Sequence, residues 1–349
     1  MAQRKKIFLE TSKLSNLNSG LGQFCLHLGR AINRNNNDFD LTFLVPESCN
    51  SIFGDRNQYV FPSKLKRIFG LSVDVDLWHC FHQGSAYLPK HKSSKLIVTV
   101  HDLNFTVKYS GWKLKKELWL LQHQLNRADA IVAISEFTQN EILKHTKVDP
   151  KKITVIYNGV NAPEVQAKKP AFITKQKFLF SIGIISTKKN FHVLIPLLKE
   201  TDSTLIIAGH STGSYANQIL LEAEKLGVKD RLILPGEISE EEKIWLYQNC
   251  EAFLFPSLAE GFGLPVIEAM REGKPVFCSD QTSLPEIGGA HAYYFTDFNP
   301  LKMKEVLTTG MNDFYSNPEK KKLIQNWAAK FSWEKASVEY LKLYHRLLV

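Results

Sequence analysis

The 349-residue chain has little cysteine, and what it has is unpatterned. Five cysteines, Cys25, Cys49, Cys80, Cys250 and Cys278, make an odd number, and no two stand at a metal-knuckle spacing. That argues against a disulfide framework or a structural zinc site, and a reducing, cytosolic compartment suits it better. No run approaches the ~20 apolar residues of a membrane-spanning helix. Near the amino end Glu10 breaks the run Ile7-Phe8-Leu9 at once, so no signal-peptide core is expected. Short-period repeats and low-complexity tracts are absent too. The basic residues form no concentrated arm, only short clusters such as Lys64–Arg67 and Lys320–Lys322. No helix-turn-helix or aromatic RNA-binding signature accompanies them, so a nucleic-acid-binding protein is a weak alternative.

What is present points to a globular protein of two domains. Hydrophobic residues make up 44% of the chain, enough to exclude disorder. The length exceeds what one ordinary core organises. Lysine plus arginine exceeds aspartate plus glutamate, 44 against 35, a net charge of +9. That modest excess suits a solvated basic surface, or partners such as anionic lipid or phosphorylated small molecules.

Short β-branched runs alternate with amphipathic ones. Strands are expected at 7–9, 41–45, 77–80, 96–100, 130–134 and 153–157, then at 178–182, 204–208, 231–234, 252–255, 276–278 and 292–295. Helical patterns lie between, at 21–32, 114–128, 215–226 and 240–248, and 333–348 closes the chain as a helix. The alternation predicts α/β architecture with parallel sheets covered on both faces. Turn chemistry at Asn158-Gly159-Val160-Asn161-Ala162-Pro163 divides the two series. The expected domains are 1–160 and 175–330, both Rossmann-like, with a linker at 161–174 and a last segment at 331–349. Ligands are expected in the cleft at the carboxyl ends of the strands.

The most informative stretch runs from Phe255 to Met270. A strand ends, Gly261-Phe262-Gly263-Leu264 follows, and Pro265 opens a helix that Gly273 and Pro275 close. Backbone N–H groups at such a helix start form an anion site. Glu260 and Glu268 flank the loop. Beside a phosphate they would repel it, but as pure acceptors they suit hydroxyl groups. A diphosphate carrying polyhydroxylated rings satisfies both, against the plainer reading of a capped helix with surface glutamates.

The arrangement resembles the E-x7-E signature of glycosyltransferase family four, whose members have the GT-B fold. Ser19-Gly20-Leu21-Gly22-Gln23-Phe24 resembles the family's first glycine loop, and Val100-His101-Asp102-Leu103 its histidine-aspartate strand end. Ile134–Thr138, Ile156–Val160, Gly183–Asn190, Ser283-Leu284-Pro285-Glu286 and Phe331-Ser332-Trp333 are similar to later signposts. The resemblance implies two Rossmann-like domains facing across a cleft, the first binding acceptor, the second donor, and a terminal helix crossing back to the first. It implies a retaining hexosyltransferase using a nucleoside diphosphate sugar. Similarity to bacterial mannosyltransferases of surface polysaccharide makes GDP-mannose the expected donor and a glycan or lipid-linked glycan the acceptor. Glu260 would hold donor-sugar hydroxyls and Glu268 the ribose. Lys188 and Lys189 would contact the diphosphate, where relatives carry an arginine and a lysine; lysines placed against a helix dipole argue for a bound anion. His101 would touch the sugar, against the reading of a satisfied core histidine. Gly20 and Gly22 either admit the diphosphate or serve a helix-start turn. Gly209 and Gly236 would lie near the nucleotide. A nucleotide-sugar epimerase on the same fold is an alternative.

Asp74-Val75-Asp76 matches a metal-binding D-x-D pattern, but reads better as a turn entering a strand, so no essential divalent ion is expected. His79 and His82 stand three apart on an extended segment and face opposite sides. The basic, tryptophan-bearing segment Trp112–Leu121 is either a contact for anionic membrane at the inner face or a helix packed on its sheet with lysines outward; the second reading is preferred.

Overall fold

In the computed structural model of the chain, the described residues are 3–17, 19–63, 71, 73–90, 93–160, 165–174, 177–211 and 213–348. The cluster Lys64–Arg67 and residues 161–164 of the expected linker lie outside them. The chain divides into two compact units: Met1–Gly159 together with Ser332–Val349, and Val160–Phe331.

Among the described residues, the first unit is built on seven parallel strands: β1 (Lys5–Glu10), β2 (Phe39–Leu44), β3 (Gln58–Val60), β4 (Leu77–Cys80), β5 (Lys95–Val100), β6 (Ala130–Ala133) and β7 (Ile153–Val155). Their order is β3-β2-β1-β4-β5-β6-β7. Strands buried on both faces read as continuous apolar runs, which is why they were visible in the sequence. The exception is β3, a three-residue edge strand with no fully buried residue and so no hydrophobic signal. Helix Gly111–Arg127 lays Leu121 and Leu125 on this sheet's core, with Lys113, Lys115 and Lys116 outward as expected. Trp112 and Trp119 also face outward, which the packed-helix reading had not anticipated.

Among the described residues, the second unit has six parallel strands: β8 (Phe178–Ile182), β9 (Thr204–Ala208), β10 (Leu232–Gly236), β11 (Ala252–Phe255), β12 (Val276–Ser279) and β13 (Tyr293–Phe295). Their order is β10-β9-β8-β11-β12-β13. Chain direction across the sheet therefore reverses between β8 and β11, as it does between β1 and β4 in the first unit. Loops leaving neighbouring strands at such a point turn to opposite faces and leave a crevice between them.

The terminal helix Trp333–Leu348 belongs to the first unit. Trp333 sits edge-on to Phe24, and a Cβ on Gly159 would lie 2.0 Å from the Trp333 nitrogen. Buried His79 ties the helix to the sheet. Its Nδ1 is 2.6 Å from the Tyr344 hydroxyl and its Nε2 2.8 Å from Thr99 Oγ1. Those partners, not a metal set, account for His79. Asp76 is likewise engaged at the start of β4: it takes Lys5 Nζ at 2.8 Å and the Lys6 N–H at 2.9 Å.

Burial, then repulsion from His101, lowers the His79 imidazole to about 3. Below about pH 6.5 the unfolded chain therefore takes up a proton that the folded chain refuses, and stability falls as pH drops from there toward 3; above pH 6.5 this group contributes no pH dependence. Unfolding free energy measured by denaturant titration across this range should show that slope, and His79→Gln should reduce it by about one proton. An unchanged slope in the variant would assign the acid sensitivity elsewhere.

Candidate functional site

The crevice between β8 and β11 gathers the residues that the sequence singled out in the second unit. After β8 the chain makes a three-residue turn, Thr187–Lys189, and Asn190 closes it in left-handed conformation at φ 58°. Lys188 and Lys189 thus end a short turn instead of opening a helix, which removes the argument from a misplaced dipole. The backbone carbonyl of Lys188 accepts the Leu258 N–H at 2.9 Å, tying this turn to the loop after β11.

The two loops meet at one ion pair. Lys189 Nζ lies 2.6 Å from Glu260 Oε1, each side chain only 13% exposed, and 4.6 Å from the centre of the Phe255 ring. Ser257 Oγ donates to the same carboxylate oxygen at 2.5 Å. Burial alone would raise the Glu260 carboxyl. The charges of Lys189 and Lys188, with the two hydrogen bonds, outweigh it and hold the group below the usual carboxylate range. Lys189 and Glu260, expected as separate contacts to diphosphate and sugar, are therefore partners of each other here.

Glu268 repeats the pattern with partners that local sequence gave no reason to choose. Tyr247 donates its hydroxyl to Oε2 at 2.8 Å, and Lys243 Nζ stands 3.4 Å from Oε1. Burial would raise this carboxyl as well; Lys243, the Tyr247 hydrogen bond and Arg271 bring it below its ordinary value. A lysine thus stands beside each carboxylate of the E-x7-E signature, Lys243 being shared with Glu240 at 2.8 Å, and Lys188 adds a further positive charge beside Glu260. These cations weaken the repulsion expected between bare glutamates and a phosphate.

Between the glutamates, Gly263 has φ 108°, a conformation that side chains resist, and a Cβ there would meet Leu284 at 2.7 Å. It caps helix Leu264–Arg271, whose first turn contains Pro265. The first N–H groups of a helix have no acceptor inside it. Gly261 and Phe262 are buried in the loop, and Leu264 is half-buried. A second clasp comes from the segment after β12. Thr282 Oγ1 accepts the Glu260 N–H at 3.0 Å, and Ser283 Oγ donates to the carbonyls of Glu260 and Phe262 at 3.0 and 2.9 Å. Thr282 has φ 56°, a strained setting for a β-branched residue that costs about 1–3 kcal/mol. The sequence flagged Ser283–Glu286 only by resemblance; nothing local marked Thr282.

Next to the crevice, Gly209 donates its N–H to the Gly236 carbonyl at 2.7 Å. A Cβ on Gly209 would fall 2.0 Å from the Gly183 carbonyl oxygen. Gly209 is thus required by close backbone packing, whereas Gly236 has open space around it and is favoured as glycine by its φ of 80°.

In the first unit, the β1/β4 crevice holds the amino-terminal candidates. Ser19 caps helix Gly20–Asn35 through the Gly22 N–H. A Cβ on Gly22 would lie 2.0 Å from the Asn16 carbonyl oxygen, so the helix-start turn requires that glycine. A Cβ on Gly20 would meet nothing within 4 Å. His101, at the end of β5, packs edge-on against Phe24, and its Nε2 is 2.8 Å from the Phe81 carbonyl. A carbonyl can only accept, so Nε2 carries the proton and Nδ1 is left as an acceptor. Burial lowers the imidazole to about 4, so it is neutral at physiological pH. Sequence reading missed Glu10 here. Its fully buried carboxylate takes the Ser12 N–H at 3.1 Å and stands 3.6 Å from His82 Nε2.

Comparison with solved structures identifies this architecture. The chain superposes on HepE from Anabaena, described in complex with UDP and glucose, with a TM-score of 0.75 at 17% identity over 98% of this chain and 100% of that one. Sucrose-phosphate synthase from Thermosynechococcus elongatus matches with a TM-score of 0.77 at 16% identity, over 99% of both chains. The fold is GT-B: two Rossmann-like domains, the terminal helix returning to the first. The profile described as Glycosyltransferase Family 4 matches residues 19–163, and that described as Glycosyl transferases group 1 matches residues 163–330. The chain belongs to the GT-B glycosyltransferases. Among curated relatives it is 30% identical over 243 residues to the serotype-specific mannosyltransferase WbdA of Escherichia coli, covering 64% of this chain and 30% of WbdA. The chain thus spans under a third of that relative's length. It is 28% identical to the O-antigen chain mannosyltransferase RfbU of Salmonella typhimurium, over 67% of this chain and 69% of that one.

Removing Lys189 strands a buried carboxylate, so Lys189→Met should destabilise the protein by about 3 kcal/mol. The double variant Lys189→Met/Glu260→Gln should recover much of that loss. Chemical denaturation of wild type, both single variants and the double variant measures the coupling. Purely additive losses would show that the pair does not exist in solution.

Proposed function

We propose that the chain transfers a hexose, mannose from GDP-mannose in the first instance, to a hydroxyl of a glycan or lipid-linked glycan, with retention of anomeric configuration and no essential divalent ion. The setting is surface polysaccharide or glycoconjugate synthesis at the cytoplasmic side. One observation carries this reading: the Lys189–Glu260 pair, set beside a glycine-fed helix start at the β8/β11 switch point. The mannosyltransferase relatives support the sugar, and the UDP and glucose named for HepE support a nucleoside diphosphate sugar as the donor class.

In this reading the second domain binds donor and the first binds acceptor. The bond that breaks joins the anomeric carbon to a diphosphate oxygen, and negative charge grows on the leaving group. Lys188, Lys189 and the backbone N–H groups ahead of Leu264, from Gly261 through Phe262 and Gly263, receive that charge; fixed donors aimed at developing charge are the strongest catalytic lever available. Both described contacts to the Glu260 carboxyl fall on Oε1. Oε2 then accepts hydroxyls of the donor sugar, while the remaining lone pairs of Glu268 accept the ribose. Gly209 and Gly236 supply backbone near the base. Neutral His101 accepts a sugar hydroxyl at Nδ1, and the open backbone at Gly20 faces ligand, while Gly22 serves the helix-start turn. The acceptor hydroxyl attacks from the face the diphosphate leaves, and its proton passes to a leaving-group oxygen. The engagement of Asp76 with Lys5 and Lys6 supports a metal-free role for the D-x-D segment.

A thermal-shift panel of nucleotide sugars tests the donor, since a ligand of the folded state raises its melting temperature by mass action. GDP-mannose should give the largest rise. Glu260→Ala should lower transfer at least about a hundredfold while keeping the fold. Full activity in that variant, or no stabilisation by any activated sugar, rejects the assignment. Product analysis without acceptor separates transfer from epimerisation, and activity in chelator tests the metal.

A further inference from the structure

Helix Gly111–Arg127 is apolar on two sides. Its inner side buries Leu121, Gln124 and Leu125 against the first unit. Its outer side carries Trp112, 70% exposed, and Trp119, 64% exposed, one above the other at helical spacing, with Leu120 beside them at 44%. Val107, just ahead of the helix, is 81% exposed. Single exposed apolar residues need no explanation, but two tryptophans on one face with aliphatic neighbours form a patch. The exposed charges of this stretch are of one sign. Lys108, Lys113, Lys115 and Lys116 are all exposed, and the acid of this stretch, Glu117, lies on the half-buried side. Lys113 Nζ stands 5.9 Å from the Trp112 ring and Lys108 Nζ 5.2 Å from the Tyr109 ring, so the cations are held among the aromatics.

We infer that this outer face docks the protein on an anionic lipid surface. Tryptophan combines a large apolar ring with an N–H donor and is suited to the boundary between headgroups and acyl chains. A basic, tryptophan-bearing helix lying in that plane buries its rings while its lysines meet lipid phosphates. A protein partner with an apolar groove would satisfy the tryptophans but would leave the lysine excess unmatched. A nucleic acid would satisfy the lysines but not the aliphatic Val107 and Leu120. An anionic bilayer answers both at once. Lipid docking through this face stands apart from the donor reading, because none of these residues belongs to the donor site.

The test is co-sedimentation of the full chain with vesicles of phosphatidylcholine alone or of equimolar phosphatidylcholine and phosphatidylglycerol, with tryptophan emission recorded in parallel. Binding to the anionic vesicles with a blue shift is expected, weakened by salt. Trp112→Ala/Trp119→Ala should weaken binding on the order of tenfold or more, and each of Lys113→Gln and Lys116→Gln by about fivefold. The same variants should keep the wild-type melting temperature and nucleotide-sugar response, which certifies the fold and separates this outcome from failure of the donor assignment. Equal binding to neutral vesicles, equal binding by the double tryptophan variant, or no binding at all overturns the proposal. So does sedimentation velocity showing that the tryptophans instead join two copies of the chain.

Discussion

A carboxylate buried at the end of a parallel strand is costly unless a cation reaches it, and the second domain is organised around meeting that requirement. Lys189 reaches Glu260 because β8 and β11 are neighbours in the sheet, although the residues stand 71 apart in sequence. The turn after β8 then lends its backbone to the loop after β11, so one contact fixes both walls of the crevice. Lys243 and Tyr247 do the same for Glu268 from helix Glu240–Asn249. The result is a pair of carboxylate acceptors that each have a cation beside them.

Rigidity at this point is reinforced by polar side chains. Ser257, Thr282 and Ser283 all bond to Glu260 or its backbone, and the backbone of Thr282 is strained in doing so. Strain of that kind persists only where surrounding bonds over-determine the conformation. Helix Leu284–Gly288, which follows Ser283, is the scaffold that carries the clasp. The positions of the charged groups are therefore set before any ligand arrives, and pre-organised dipoles need no rearrangement when charge develops.

The first domain uses its buried polar groups differently. His79 binds the terminal helix to the sheet through Tyr344 and Thr99, so a group that sequence inspection would weigh as a metal ligand is a structural pin. His101 is both a core residue, packed on Phe24, and a neutral acceptor at the strand end. The structural and functional readings of that histidine are not exclusive. Gly22 belongs to the turn, while nothing within reach explains why position 20 lacks a side chain.

Local order was written in the sequence. Fully buried parallel strands give unbroken apolar runs, so β4, β8, β9 and β11 could be placed to the residue, and the glycine-proline signature marked the start of helix Leu264–Arg271. These features depend on neighbours a few residues apart, where periodicity and backbone preference operate. The edge strand β3 left no such trace because it buries nothing completely. Which lysine answers which glutamate, why Thr282 is strained and which way the tryptophans of helix Gly111–Arg127 point were decided by tertiary structure alone. Each depends on strand order or helix packing that brings distant segments together. No local pattern encodes that, because the energy of a charge pair or a buried face depends on distance in space and not on separation along the chain.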